Sequence, residues 1–586
     1  MNFLKRVFAT VTGIFVFLIL FILIIVIIGM IANNLSKSAE KITGDTVLEL
    51  KLDYNLKDSA GKVIYKDYAF LNEDSKNGLF DLVNAIDYAA NDDNIKGISI
   101  ETTMNEAGIT QLRALREALL RFKQSGKFVT AYADIYTQKD YYLSSVADTV
   151  YMSPVGMLEF KGLVEQMIYL KDFQDKSGVR LEVIRLGKYK SAVEPFLENE
   201  VSEANKQQIL SYLNSLWMSI REDIGKSRNI DPARLDEIAD DLLARSPERA
   251  VQTGMIDKIG YYSDYENGIR KAIGLKESEK INKLRMEDYS EKIGAQNHYK
   301  YNRDRIAVIY AQGEIIYGEG SVDRIGPDEI NGALKKAMDD DAIKAVVLRI
   351  NSPGGSALSS DLIWREVERV KQVKPVVVSM GDFAASGGYY IAAGADRIFA
   401  EPSTLTGSIG VFGVLPNVSD LAKNWGFHAH HVGTNKNALT YTPLEPLSNE
   451  QRDFILEEII NVYDLFKSRV ASGRGMSMEQ VEEVAQGRVW TGAEALKNGL
   501  VDEIGGMDAA LAYAAQKAGI TDYQIREYPV YEVDLNKVLR NFGLIQSSEE
   551  IAKELLGKEG AKWIKTLKES TSYKGVQLIT PIEVLY

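Results

Sequence analysis

The chain has 586 residues, no cysteine and a formal net charge of −13. The missing thiols exclude disulfides, thiolate metal sites and a cysteine nucleophile, and the acidic balance argues against a general nucleic-acid binder, which needs basic surface to neutralise phosphates. Hydrophobic residues make up 45% and charged residues 26%, an ordinary globular composition that supplies large cores for roughly two to four domains.

The first element is apolar. No residue from Val7 to Ala32 is charged, and about 20 apolar residues span a bilayer. Lys5 and Arg6 precede the run, and positive flanks stay cytoplasmic. Residues 1–35 are therefore expected to form a single-pass membrane anchor, with the rest of the chain outside the inner membrane. A cleaved signal peptide is the alternative. The run exceeds a usual signal core, however, and no clear small-x-small site follows it.

An internal repeat follows. Asp93-Asn94-Ile95-Lys96-Gly97-Ile98 matches Asp341-Ala342-Ile343-Lys344-Ala345-Val346 at an interval of 248 residues. Ala147-Asp148-Thr149-Val150 matches Ala395-Asp396-Arg397-Ile398 at the same interval, and Gly254-Met255-Ile256-Asp257 matches Gly499-Leu500-Val501-Asp502 at 245. The period is too long for a solenoid and reads as one duplicated domain. Short apolar strands alternate with helices in each copy, which predicts an α/β fold with mostly parallel strands. The expected domains are residues 36–290 and 300–586, joined by a charged linker near 277–302. Tyr573 onward has no counterpart in the first copy and is expected to be a tail that pairs with a sheet edge.

The second copy carries two glycine-bearing turns. Asn351-Ser352-Pro353-Gly354-Gly355 follows a strand. Paired glycines let backbone N–H groups approach a ligand closely, so this turn fits either an oxyanion donor or a plain strand-to-helix connection. Asp382-Phe383-Ala384-Ala385-Ser386-Gly387-Gly388-Tyr389-Tyr390 is a strand-to-helix corner. A serine there fits a nucleophile elbow or an N-cap. The repeat favours the nucleophile. Ser386 pairs with Gln138, Gly354 and Gly355 pair with Glu106 and Ala107, and Gly387 and Gly388 pair with Lys139 and Asp140. One copy keeps the serine and both glycine pairs; the other has lost all three.

Such a serine needs a base. The four histidines are His298, His428, His430 and His431. The last three lie in a strand-like stretch that lacks the carboxylates of a metal site. None makes a convincing triad member. Lysine can replace histidine when burial lowers its pKa. The run Gly187-Lys188-Tyr189-Lys190-Ser191-Ala192-Val193-Glu194-Pro195-Phe196 offers one, although a lysine read alone is a solvated side chain.

Together with Ala384–Tyr390 and Leu405-Thr406-Gly407-Ser408-Ile409-Gly410, this run resembles the signal peptide peptidase A (protease IV) family, in its long bacterial form. The resemblance covers nearly the whole chain. It implies tandem ClpP/crotonase-like domains and a Ser–Lys dyad: Ser386 as nucleophile, Lys190 as general base and Ser408 orienting the lysine. The N–H groups of Gly355 and Gly387 would hold the oxyanion. It further implies peptide substrates such as remnant signal peptides, no cofactor or metal, a homo-oligomer (a homotetramer in the family), and catalytic domains on the periplasmic side of the bacterial inner membrane. Lys436, in Gly433-Thr434-Asn435-Lys436, aligns with Lys190 at an interval of 246 residues and is a competing base. Two other readings are a crotonase-like acyl-CoA enzyme and a non-catalytic membrane scaffold. No G-x-x-x-x-G-K-[ST] phosphate loop occurs, which argues against ATP-driven proteolysis within this chain.

Overall fold

The computed structural model describes residues 42, 44–65, 73–74, 77–297, 304–533 and 576–579. The apolar run Val7–Ala32 and His298 lie outside the described residues. Among the described residues no helix is long and apolar enough to cross a membrane.

Strand–helix alternation gives each half a parallel sheet covered by helices. In the first half the spatial order is Lys258–Ile259, Thr149–Leu158, Phe128–Tyr136, Ile95–Ile100, Thr46–Leu50 and Asn282–Arg285, every pair parallel. The second half repeats it with Glu503–Ile504, Arg397–Ala400, Val376–Ala385, Ile343–Ser352, Arg305–Gln312 and Gln524–Tyr528. The duplication read from three sequence matches therefore extends to all six strands. Central strands are apolar on both faces, as parallel sheets require: Val346, Val347, Leu348 and Ile350 are all fully buried.

As far as Asn297, where the described residues end, the charged stretch near 277–302 is not a linker. It contains the strand Asn282–Arg285, at the edge of the first sheet, and the helix Met286–Asn297. Ile281, Leu284, Met286, Tyr289 and Ile293 are buried there. Their spacing switches from strand to helix period within a few residues, so neither period is visible among the charges.

A third sheet joins the halves. Its order is Arg324–Ile325, Glu314–Ile315, Gly354–Ser356, Val576–Ile579, Val411–Asn417 and Arg180–Leu186. The strand Arg180–Leu186 belongs to the first half but pairs antiparallel with Val411–Asn417 of the second, from Leu186 opposite Val411 to Arg180 opposite Asn417. The tail strand Val576–Ile579 sits between two strands rather than on an outer edge.

Buried polar groups also tie the halves. Arg349 donates to Asp58 at 2.7 Å, and Gln111 Nε2 donates to the other oxygen of Asp58 at 2.8 Å. The Thr110 N–H donates to Asp382 at 2.9 Å. Each such group needs its partner, because an unpaired buried charge is strongly destabilising.

Candidate active site

The strand Val376–Ala385 ends at Ser386, and the helix Gly387–Ala392 begins immediately after it. Ser386 has φ 54° and ψ −115°. Positive φ in a residue other than glycine is strained, at about 1–3 kcal/mol, and persists only where surrounding structure fixes it. Here the Ser386 N–H donates to the Gly407 carbonyl at 2.8 Å.

Ser386 sits at the N-cap position, but its side chain makes no capping hydrogen bond. In the first copy the equivalent corner behaves differently. Thr137 caps its helix by accepting from the Asp140 N–H. Gln138 is buried and closes on the main chain: its Oε1 accepts from the N–H groups of Lys161 and Gly162, each at 3.0 Å. The N-cap reading of Ser386 therefore fails, and its hydroxyl is left for another partner.

That partner is Lys190. Its Nζ lies 2.7 Å from Ser386 Oγ, 3.1 Å from Ser408 Oγ and 3.1 Å from the Ser408 carbonyl oxygen. Lys190 is 1% exposed and Ser386 is fully buried. Burial alone pushes the Lys190 amine well below the ordinary lysine value. Lys190 Nζ donates in all three contacts, to Ser386 Oγ and to both Ser408 oxygens; a deprotonated amine held at the same place has a lone pair to accept the Ser386 proton.

The local chain explains how a lysine from one copy reaches a serine in the other. The strand Arg180–Leu186 crosses into the third sheet and ends at Gly187, which has φ 106°. A methyl group on Gly187 would lie 2.6 Å from the Gln486 carbonyl, and the Tyr189 N–H donates to that same carbonyl at 2.9 Å. Gly487, with φ 78°, faces Lys190; a methyl there would lie 2.6 Å from Lys190 Cβ. Ser408 has φ 51°, and its N–H donates to the Arg488 carbonyl at 2.7 Å. The loop 486–488 thus clamps both the lysine and the serine that contacts it.

Sequence reasoning missed Gly487. The signal was present: the repeat interval of 245 residues pairs it with Leu242, the same contrast that singled out Ser386.

Gly355 and Gly387 come together beside the serine. A methyl on Gly387 would lie 3.2 Å from the Gly355 nitrogen and 2.6 Å from Ser360 Oγ. Gly355, at φ 151°, has its Cα so near the Ile315 carbonyl that a methyl would overlap it. The turn before it is held by the Gly354 N–H donating to Ser352 Oγ at 3.1 Å.

Lys436 is elsewhere. Its side chain is 75% exposed and pairs with Glu450 at 2.7 Å. The strand-like reading of His428–His431 is corrected: the segment has no regular structure and is exposed. Ala429 and the neighbouring Val432 are exposed, so no burial favours a pleated strand there. His431 Nδ1 contacts Glu445 at 3.2 Å. Among the described residues no cluster of histidine and acidic side chains could hold a metal ion.

Comparison with known proteins agrees with the repeat. The model of Peptidase family S49 matches twice, at residues 121–276 and 368–521. Protease 4 of Haemophilus influenzae is 37% identical over 515 residues, 86% of this chain and 83% of that protein. Protease 4 of Salmonella typhi is 37% identical over 464 residues, 77% of this chain and 74% of that protein. Among solved structures, ClpP1 from Listeria monocytogenes aligns with 34% of this chain and 91% of its own, at 19% identity and a TM-score of 0.22. With two matches to one family model and relatives aligned over most of its length, the chain belongs to peptidase family S49 and is a serine protease of the signal-peptide-peptidase type.

Proposed function

We propose that hydrolysis runs on a Ser–Lys dyad assembled from both copies, Ser386 as nucleophile and Lys190 as general base. The observation that carries this is the 2.7 Å separation of Lys190 Nζ from Ser386 Oγ, both of them buried. Neutral Lys190 takes the hydroxyl proton as Ser386 Oγ attacks the substrate carbonyl. The N–H groups of Gly355 and Gly387 hold the developing oxyanion. Lys190 then protonates the leaving amine, the C–N bond breaks, and water hydrolyses the resulting ester by the same proton path. Ser408 keeps the amine aimed by accepting one of its N–H groups. No metal or cofactor enters these steps.

The substrates we assign are peptides, remnant signal peptides and other hydrophobic segments among them. The apolar run Val7–Ala32 supports a membrane anchor that holds the site near such substrates on the periplasmic side. The domain reading is an anchor at 1–35, a first domain at 36–290 that supplies Lys190, and a second at 300–586 that supplies Ser386. The chain is proposed to work as a homo-oligomer, a homotetramer by the family resemblance. The acyl-CoA reading gives way to membership of a peptidase family.

Covalent labelling tests the nucleophile. A fluorophosphonate or β-lactone probe is expected to label the full chain at Ser386, with the adduct located by peptide mass mapping. A full chain that hydrolyses peptides while its label maps to another residue would overturn the assignment.

A further inference from the structure

Glu194, four residues past Lys190, is buried, and the proposed dyad does not use it. It lies in the short 3₁₀ helix Ser191–Phe196. The helix Glu203–Arg228, also of the first copy, meets this segment with two buried amides, Asn205 and Gln208. Asn205 Nδ2 donates to Glu194 Oε2 at 2.6 Å, which ties down the turn that follows the lysine.

Gln208 uses both ends of its amide. Its Nε2 donates to the Tyr189 carbonyl at 3.4 Å and to Ser191 Oγ at 3.3 Å, so it holds both residues that flank Lys190. Its Oε1 accepts from the Val489 N–H at 2.8 Å. Val489 opens the strand Val489–Thr491 of the second copy and directly follows the loop 486–488 that clamps Lys190 and Ser408. One amide therefore spans the two parts of the site that arrive from different copies. Its helix continues the contact on the same face, three and seven residues on: Ser211 Oγ donates to Glu494 at 2.6 Å, and Ser215 Oγ lies 2.8 Å from Thr491 Oγ1. Tyr212 and Leu216 pack beside them with Leu405 and Val489. In such apolar company a buried amide is costly unless it is hydrogen-bonded.

We propose that Gln208 is a positioning residue for the hydrolysis: it holds the main chain on either side of Lys190 in register with the loop 486–488, so that the amine stays within reach of Ser386 Oγ. The inference rests on the dyad reading above. Gln208 bonds to the lysine's neighbours and not to the reacting atoms, so it acts through Lys190. Its loss leaves Ser386, Gly355 and Gly387 in place. Proton transfer then slows while substrate binding is kept.

The test compares two substitutions in the full chain. Gln208→Met removes both ends of the bridge at similar length. Gln208→Glu keeps the acceptor for the Val489 N–H and removes the donor to the lysine's flanks. Ser211→Ala, which cuts a neighbouring contact to the second copy, is the control for docking alone. Hydrolysis of a fluorogenic peptide gives kcat and KM, and the rate of fluorophosphonate labelling reads the reactivity of Ser386 without a peptide. In each Gln208 variant that keeps a cooperative thermal transition, kcat and the labelling rate are expected to fall together, on the order of tenfold or more, with KM little changed. Ser211→Ala is expected to keep the parent values of all three. Parent kcat in a folded Gln208 variant, a raised KM with kcat intact, or an equal loss in Ser211→Ala overturns the inference. Lys190→Ala, assayed alongside, separates the two readings. Activity kept in Lys190→Ala refutes the dyad itself, whereas activity lost there and kept in Gln208→Met refutes the positioning role and leaves the dyad standing.

Discussion

A buried lysine is an expensive base. In the unfolded chain Lys190 titrates near the ordinary lysine value, about 10.4; in the fold its pKa is well below that. Between the two values the unfolded state binds more protons, so this group makes stability rise with pH across that window. Replacing it with an apolar side chain of similar length removes the effect. Lys190→Met is therefore expected to lose peptide hydrolysis and yet raise Tm at pH 7, with the gain shrinking as pH approaches 10. Calorimetry across pH checks this; a Tm lowered at pH 7 would contradict the burial argument. The same shift sets the activity profile. Since only the neutral amine can take the Ser386 proton, kcat/KM is expected to rise with pH along a limb whose midpoint lies well below the ordinary lysine value. Ser408→Ala leaves the lysine in place but removes one of its acceptors at 3.1 Å. It is expected to lower kcat on the order of 10²-fold with little change in KM, a size typical of impaired proton transfer.

At the scale of elements, the site depends on where strands end. Arg180–Leu186 carries the lysine across, and two glycines, Gly187 and Gly487, let the chain turn and the clamp close. Gly487→Ala sets a methyl 2.6 Å from Lys190 Cβ in a residue at φ 78°. A misplacement of about 1 Å near the chemistry is worth roughly 10²-fold. The variant is expected to keep a cooperative unfolding transition and lose activity by that order, measured as kcat on a short fluorogenic peptide. Wild-type activity in the variant would mean that the clamp does not set the lysine. These elements also separate what the sequence could reveal from what it could not. Ser386 and its glycine turns stood out because the first copy lacks them, a contrast internal to one chain. Lys190 did not stand out. Gly487, Gly410 and Ser408, which lie against it, are far along the chain, and no local pattern distinguishes a lysine that will be buried from one that will be solvated. It entered only through the family resemblance. Residues 277–297 read as a linker in the sequence because their charges mask five buried apolar residues, Ile281, Leu284, Met286, Tyr289 and Ile293.

At the scale of the whole molecule, the proposed dyad is divided between the two copies. Both copies keep the same six-strand order, yet one supplies the serine and the other the lysine. The proposed site requires the halves to stay docked, and buried polar pairs hold them. Asp58 is 1% exposed and accepts from Arg349 and Gln111. Asp58→Ala leaves Arg349 buried without its carboxylate, which in comparable buried pairs costs about 3–5 kcal/mol. Urea unfolding is expected to show a loss of that order, with activity falling at denaturant concentrations the parent tolerates. An unchanged midpoint would show that docking does not rest on this pair. Parallel β/α architecture was legible from apolar runs alternating with helices. The crossing strand was not, because nothing in Arg180–Leu186 itself states which sheet it joins.

In the proposed dyad the base comes from the first copy. The most direct measurement is peptide hydrolysis by Lys190→Ala and Lys436→Ala, made separately and assayed side by side, with circular dichroism confirming that both fold. The structure puts Lys190 at 2.7 Å from Ser386 Oγ and Lys436 on the surface against Glu450. Lys190→Ala is expected to abolish hydrolysis and Lys436→Ala to retain it at the parent rate. Loss in Lys436→Ala with activity kept in Lys190→Ala would contradict the interdomain dyad.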